Sequence, residues 1–104
     1  MSRFSLQHLS HDALRRELFQ STATEAAATA DMLARLAEFD ARRLFAPAGC
    51  LSMYEFCLRK LHLSENSAAK RIRVARAARE FPVLFEAVAD GRLHVSAVFL
   101  LPRA

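Results

Sequence analysis

The stretch LHLSENSAAKRIRVARAAREFPVLFEAVADGRLHVSAVFLL, residues 61–101, decides how this chain is read. Ser64 stands directly before a run whose apolar residues recur at helical spacing. A Ser in that place accepts a hydrogen bond from a free N–H of the first turn, so the spacing predicts a helix from residue 65 to about residue 79. Phe81-Pro82 ends it, and Pro82 suits the first position of another helix. Val83, Leu84, Phe85 and Val88 give that second helix an apolar face. Asp90-Gly91 turns the chain, Leu93 packs back, and residues 95–101 read as a last, very apolar helix that exposes its surface unless another element or chain covers it.

The first of these helices has two sides. At about 100° per residue, Ala68, Ile72 and Ala75 share a narrow arc and are expected in the core. Asn66, Lys70 and Arg73 fall on the opposite arc. Ser67 and Val74 lie to one side, Arg76 to the other, and Arg71 at the edge of the core. Small residues on the buried arc permit close approach by a neighbouring helix.

Charge gathers on the same segment. From Arg59 to Arg79 there are seven Lys or Arg and one acid, Glu65, a local +6 in a chain whose total is +4. Residues 1–52 hold six basic and six acidic side chains, whereas residues 53–104 hold nine and five. The whole excess therefore lies in the second half. A basic patch confined to one element suggests a polyanionic partner, and the plainer reading is a solvated helix face.

Upstream, Ser10 is a candidate N-cap, with Asp12 favoured in the first turn by the helix dipole. From His11 to Leu44 there is neither Gly nor Pro. Leu14, Leu18, Ala28, Met32, Leu36, Ala37 and Phe39 recur at near-helical steps, which predicts one long amphipathic helix or two in tandem. Thr22 and Glu25 have capping-box spacing and would restart the helix there. Pro47 and Gly49 break the chain. Ser52 and Glu55 form a second capping box opening a helix to about residue 61, with Met53, Phe56, Cys57 and Leu61 buried and Arg59 and Lys60 wet. The expected organisation is one compact all-α domain of five or six helices. An N-terminal helical arm, residues 1–46, packs on a helix-turn-helix region, residues 50–104. Phe56, Leu61, Ile72, Phe81, Leu84, Phe85, Val88 and Leu93 are the expected core of the second half.

Composition excludes several classes. One hundred and four residues, 53% hydrophobic but rich in Ala, with two Gly and three Pro, bound a single small helical domain. No apolar run approaches the ~20 residues of a membrane span. The first twelve residues, MSRFSLQHLSHD, lack the apolar core of a signal peptide, which points to the cytoplasm. Cys50 and Cys57 are seven apart, and Cys57 on a buried stripe reads as a small hydrophobe. His8, His11, His62 and His94 are scattered, so neither a metal site nor a cofactor is expected. Glu25, Asp31, Glu38 and Asp40 sit on helix faces where acids are ordinarily solvated. No nucleophile–base pair is visible, so the chain is not read as an enzyme and no small-molecule substrate is expected.

Two resemblances attach to these residues. LSENSAAKRIRVARAAREFPVLFEAVADGRLHVSAVFLL resembles the helix-turn-helix region of ParB-type partition proteins, with Ser64 at the cap, Ala68 and Ile72 at core positions and Asp90-Gly91-Arg92-Leu93 at the turn. More widely, HLSHDALRRELFQ, LARLAEFDARRLF and the run from Gly49 to Leu101 look like the helical region found ahead of HNH endonuclease modules in bacteria. The His-Asn-His module itself is not among these residues, so the resemblance implies DNA binding and not cutting. The phase of the basic helix gives the expected contacts: Asn66, Ser67 and Lys70 to base edges, where Asn pairs with adenine and Lys with guanine, and Arg71, Arg73 and Arg76, which flank that face, to phosphates. The expected partners are double-stranded DNA and a second copy of the chain in a homodimer. The other reading is a helical protein–protein interaction or dimerisation module.

Overall fold

The computed structural model describes residues 2–100, the last three of these by their backbone alone. The described residues form four α-helices and a short 3-10 segment: α1 (His11–Ala41), α2 (Met53–Arg59), α3 (Glu65–Glu80), α4 (Val83–Ala89) and the 3-10 segment Val95–Leu100. They contain no strand. The all-helical architecture, with a long first helix packed on the others, is the expected one; with α1 undivided, the count falls one short of five because the last segment is 3-10.

Ser10 starts α1 by accepting from Ala13 N–H. Of the two alternatives the chain takes the first, one helix without a restart at Thr22. Thr22 Oγ1 donates back to the Leu18 carbonyl at 2.9 Å and Thr24 Oγ1 to Gln20 at 3.0 Å, so both hydroxyls are used inside a continuous helix. With Ala26-Ala27-Ala28 beside them, nothing opposes propagation.

α3 is the centre of the molecule. It packs against α1, α2, α4 and the 3-10 segment. Ala68, Ile72, Val74, Ala75, Ala77 and Ala78 are all buried, which covers more than half its circumference. Four of those six are Ala, so the neighbouring helices can lie close to its axis. The predicted arc of Ala68, Ile72 and Ala75 is buried, and Val74, expected at the flank, has no exposed surface at all.

The rest of the core comes from one end of α1, from α2, from the loop between them and from Val88 of α4. Ala30, Leu33, Leu36 and Ala37 supply the α1 share. Phe45 and Cys50 are buried from within the loop, tied by Cys50 N–H donating to the Phe45 carbonyl at 3.0 Å. Gly49 takes φ +84, the left-handed region the break required, and Gly91 takes φ +82 in the Asp-Gly turn.

Several core expectations change. Met53, Cys57, Ile72 and Val88 are buried, whereas Phe56, Leu84, Phe85 and Leu93 are only half-buried. Leu61 and Phe81 are exposed, at 41% and 47%. α2 ends at Arg59, so Leu61 leaves the helix before its turn can point inward. Phe81 is the C-cap of α3, with φ −125 and ψ 82, and leaves the buried arc for the same reason. The expected last helix is instead 3-10 in character, interrupted at Ala97. The side chains of Val98, Phe99 and Leu100, and all of Leu101, lie outside the described residues.

Candidate nucleic-acid interface

α2, the turn after it and α3 form the local unit on which the basic residues sit. Ser52 Oγ accepts from Glu55 N–H at 3.0 Å, opening α2. Glu55 reaches back to Leu51 N–H at 3.1 Å, one residue earlier than a capping box requires, and also holds Arg59 at 2.7 Å. These bonds keep the Glu55 carboxyl below its ordinary range, Arg59 contributing most and Leu51 N–H next. His62 turns the chain at φ +58, and Leu63 N–H donates to the Cys57 carbonyl at 3.0 Å. Ser64 then caps α3 by accepting from Ser67 N–H at 3.1 Å.

The six predicted contact residues do not share one face. Asn66 is exposed one residue inside α3, and Lys70 and Arg73 are half-buried. Arg73 and Arg76 line a groove between α2 and α3, together with Ser52, Tyr54, Ala69 and Phe81. Ser67 and Arg71 lie round the helix, where Arg71 donates to Ser67 Oγ. Arg71 also lines a second groove, between α1 and the segment from α4 to the 3-10 turn.

Arg76 is engaged from α1. Its Nε and a terminal nitrogen both bond the Asp40 carboxylate, at 2.8 and 3.1 Å, a two-point grip that only a guanidinium provides. Asp40 is 17% exposed at its side chain, and it raises Arg76 above its ordinary pKa. Arg79 bonds Glu38 at 3.2 Å, and Glu38 also accepts from Arg42 at 2.7 Å. The last turns of α1 therefore set acids against the C-terminal cations of α3. Toward its start stand Lys60, Lys70, Arg71 and Arg73, with Glu65 as the acid in the first turn.

Three residues in this region were not read as contacts from sequence. Lys60 and His62 are exposed in the turn, and Tyr54 is 39% exposed at the rim of the α2–α3 groove. Tyr54, the single tyrosine, follows the Ser52 cap by two residues and so leaves the stripe of Met53 and Cys57. That offset was the available signal.

Among the described residues no group of three His, Cys, Asp or Glu could hold a metal ion. Cys50 and Cys57 are free thiols, both buried, and burial above all, with a smaller effect of Asp40, pushes the Cys57 thiol up. No described helix is long and apolar enough to cross a membrane.

The chain matches no protein-family model, no curated protein and no solved structure.

Proposed function

We propose that this chain binds duplex DNA as a homodimer, presenting the turn 60–64 and the first two turns of α3 to the major groove. One observation supports this above the rest: the acids of α1 hold Arg76 and Arg79 at the end of α3, while Lys60, His62 and Asn66 stand exposed at its start. Asn66 and Lys70 are the base-edge candidates on this reading, and Arg73, Lys60 and His62 flank them toward phosphates. Ser67 accepts from Arg71 and keeps its own O–H to donate, whereas Arg76, gripped by Asp40, contributes only after giving up that partner. The resemblance to the region ahead of HNH modules supports a holding role, with cutting assigned elsewhere. The two free thiols suit a reducing, cytoplasmic setting.

The test is fluorescence anisotropy of a labelled duplex across a salt series. Log affinity should fall linearly with log salt, by about 0.9 for each phosphate neutralised. A wild-type chain that binds no duplex even at low salt overturns the reading. A second reading, a helical interaction module without DNA, is favoured by the exposed apolar side chains of α1 and gains from that outcome.

A further inference from the structure

α1 does not end its apolar stripe where its packing ends. Its buried residues all lie beyond Thr29, yet the same face continues toward the N-terminus through Ala26, Thr22, Phe19 and Leu18. Phe19 and Leu18 are 71% and 65% exposed, with Leu14 at 43% on the flank. Beside them runs the groove between α1 and the α4–3-10 segment, whose walls include Thr22, Ala23, Ala26, Leu93 and Val95.

From this arrangement we infer that the N-terminal half of α1 is an isologous interface, occupied by the same face of a second copy running antiparallel. The inference rests on the dimer in the reading above and names its surface. The order of side chains along α1 is the first reason. Large residues, Leu14, Leu18 and Phe19, come first, and small ones, Thr22, Ala23 and Ala26, follow. A two-fold axis crossing the helix between the two sets lays the large residues of each copy against the small ones of the other. Self-complementarity of this kind is what an isologous contact requires.

Area is the second reason. The chain exposes 7592 Å², whereas a monomer of 11.7 kDa ordinarily exposes about 5,900 Å². The excess, about 1,700 Å² spread over the whole elongated chain, leaves room for the roughly 800 Å² that each partner buries in a stable complex. Charge is the third. Residues 11–29 carry Arg15 and Arg16 against Asp12, Glu17 and Glu25, which leaves the arm one charge negative. Such a surface does not attract DNA or an anionic membrane, and it tolerates its own copy.

Sedimentation equilibrium of the full chain at micromolar concentration tests this, with helicity recorded for each variant. The wild type should be a dimer. Leu18→Glu and Phe19→Glu should each raise the dimer dissociation constant by a hundredfold or more, on the order expected when a central apolar anchor is lost twice over by symmetry. Leu51→Glu, at a side chain 90% exposed off the arm, should change nothing. Dimerisation should also persist at high salt, unlike DNA binding. A monomeric wild type overturns the inference, as does a Leu18→Glu chain that still dimerises. A monomer whose melting temperature falls on Leu18→Glu also overturns it, because the chain would then cover the stripe itself. A dimer of this form that binds no DNA leaves the interface standing and removes the DNA reading.

Discussion

Two leucines on one helix show how position sets energy. Leu33 is fully buried in the core, whereas Leu14 is 43% exposed. Leu33→Ala should cost about 2–5 kcal/mol, the range for a buried side chain that leaves a cavity. Ile72→Ala should fall in the same range, and Leu14→Ala should stay within about 0.5 kcal/mol in the monomer. Chemical denaturation of the three variants checks the ranking, and an Ile72→Ala chain as stable as wild type would reject the phase assigned to α3. The same logic separates two arginines. Arg73→Ala should lower the salt slope of DNA binding by about one, because it removes one phosphate contact. Arg76→Ala should leave the slope unchanged and cost roughly 0.5–1 kcal/mol of stability, a modest sum because its guanidinium is half in water. Equal slopes for Arg73→Ala and wild type would remove Arg73 from the interface.

At the scale of the element, α3 depends on its first residue. Ser64 Oγ satisfies one N–H that the helix itself cannot, so Ser64→Ala should cost about 1 kcal/mol. Because the base-edge candidates sit within two turns of that cap, fraying there should also weaken DNA binding. Anisotropy and thermal melts of the same variant should move together. A stability loss with unchanged affinity would place the contact elsewhere on the molecule. The α1–α2 loop depends in a similar way on one backbone angle. Gly49→Ala meets no neighbour within 4 Å, yet the left-handed φ alone should destabilise by about 1 kcal/mol.

For the whole molecule, shape and acid response are linked through α1. The chain measures 49 × 31 × 20 Å with a radius of gyration of 16.5 Å, against about 13 Å for a compact domain of this length. The elongation fits α1, about 46 Å long at 1.5 Å per residue, with only its far third in the core. That third carries Glu38, held below the ordinary carboxylate range by hydrogen bonds from Arg42 and then Arg79. Asp90 is lowered likewise, by Arg92. Folded values below unfolded ones mean that the unfolded chain binds more protons. The stabilisation is therefore complete above the carboxylate range and is lost as pH falls through it. Melting temperature should hold from neutrality to about pH 5 and decline below about pH 4. Glu38→Gln should shallow that decline. A melting temperature flat to pH 3 would show that these pairs contribute nothing.

Local signals alone determined the helical class, the Ser10, Ser52 and Ser64 caps, the breaks at Pro47-Gly49 and Asp90-Gly91, and the buried arc of α3. Each depends on residues within a few positions of one another, so spacing and side-chain chemistry suffice. The undivided α1 was decided by a local competition that sequence left open, in which Thr22 bonds backward to Leu18 instead of capping. The tertiary structure decided the rest. Val74, Phe45 and Cys50 are buried because elements distant in sequence close over them, which periodicity on a single helix does not register. Asp40 meets Arg76 across thirty-six residues, so a charge count along α3 could not tell which cations α1 engages. The candidate site was accordingly legible as a basic helix and its cap, while the placing of Arg73 and Arg76 in one groove and of Arg71 in another came only from packing.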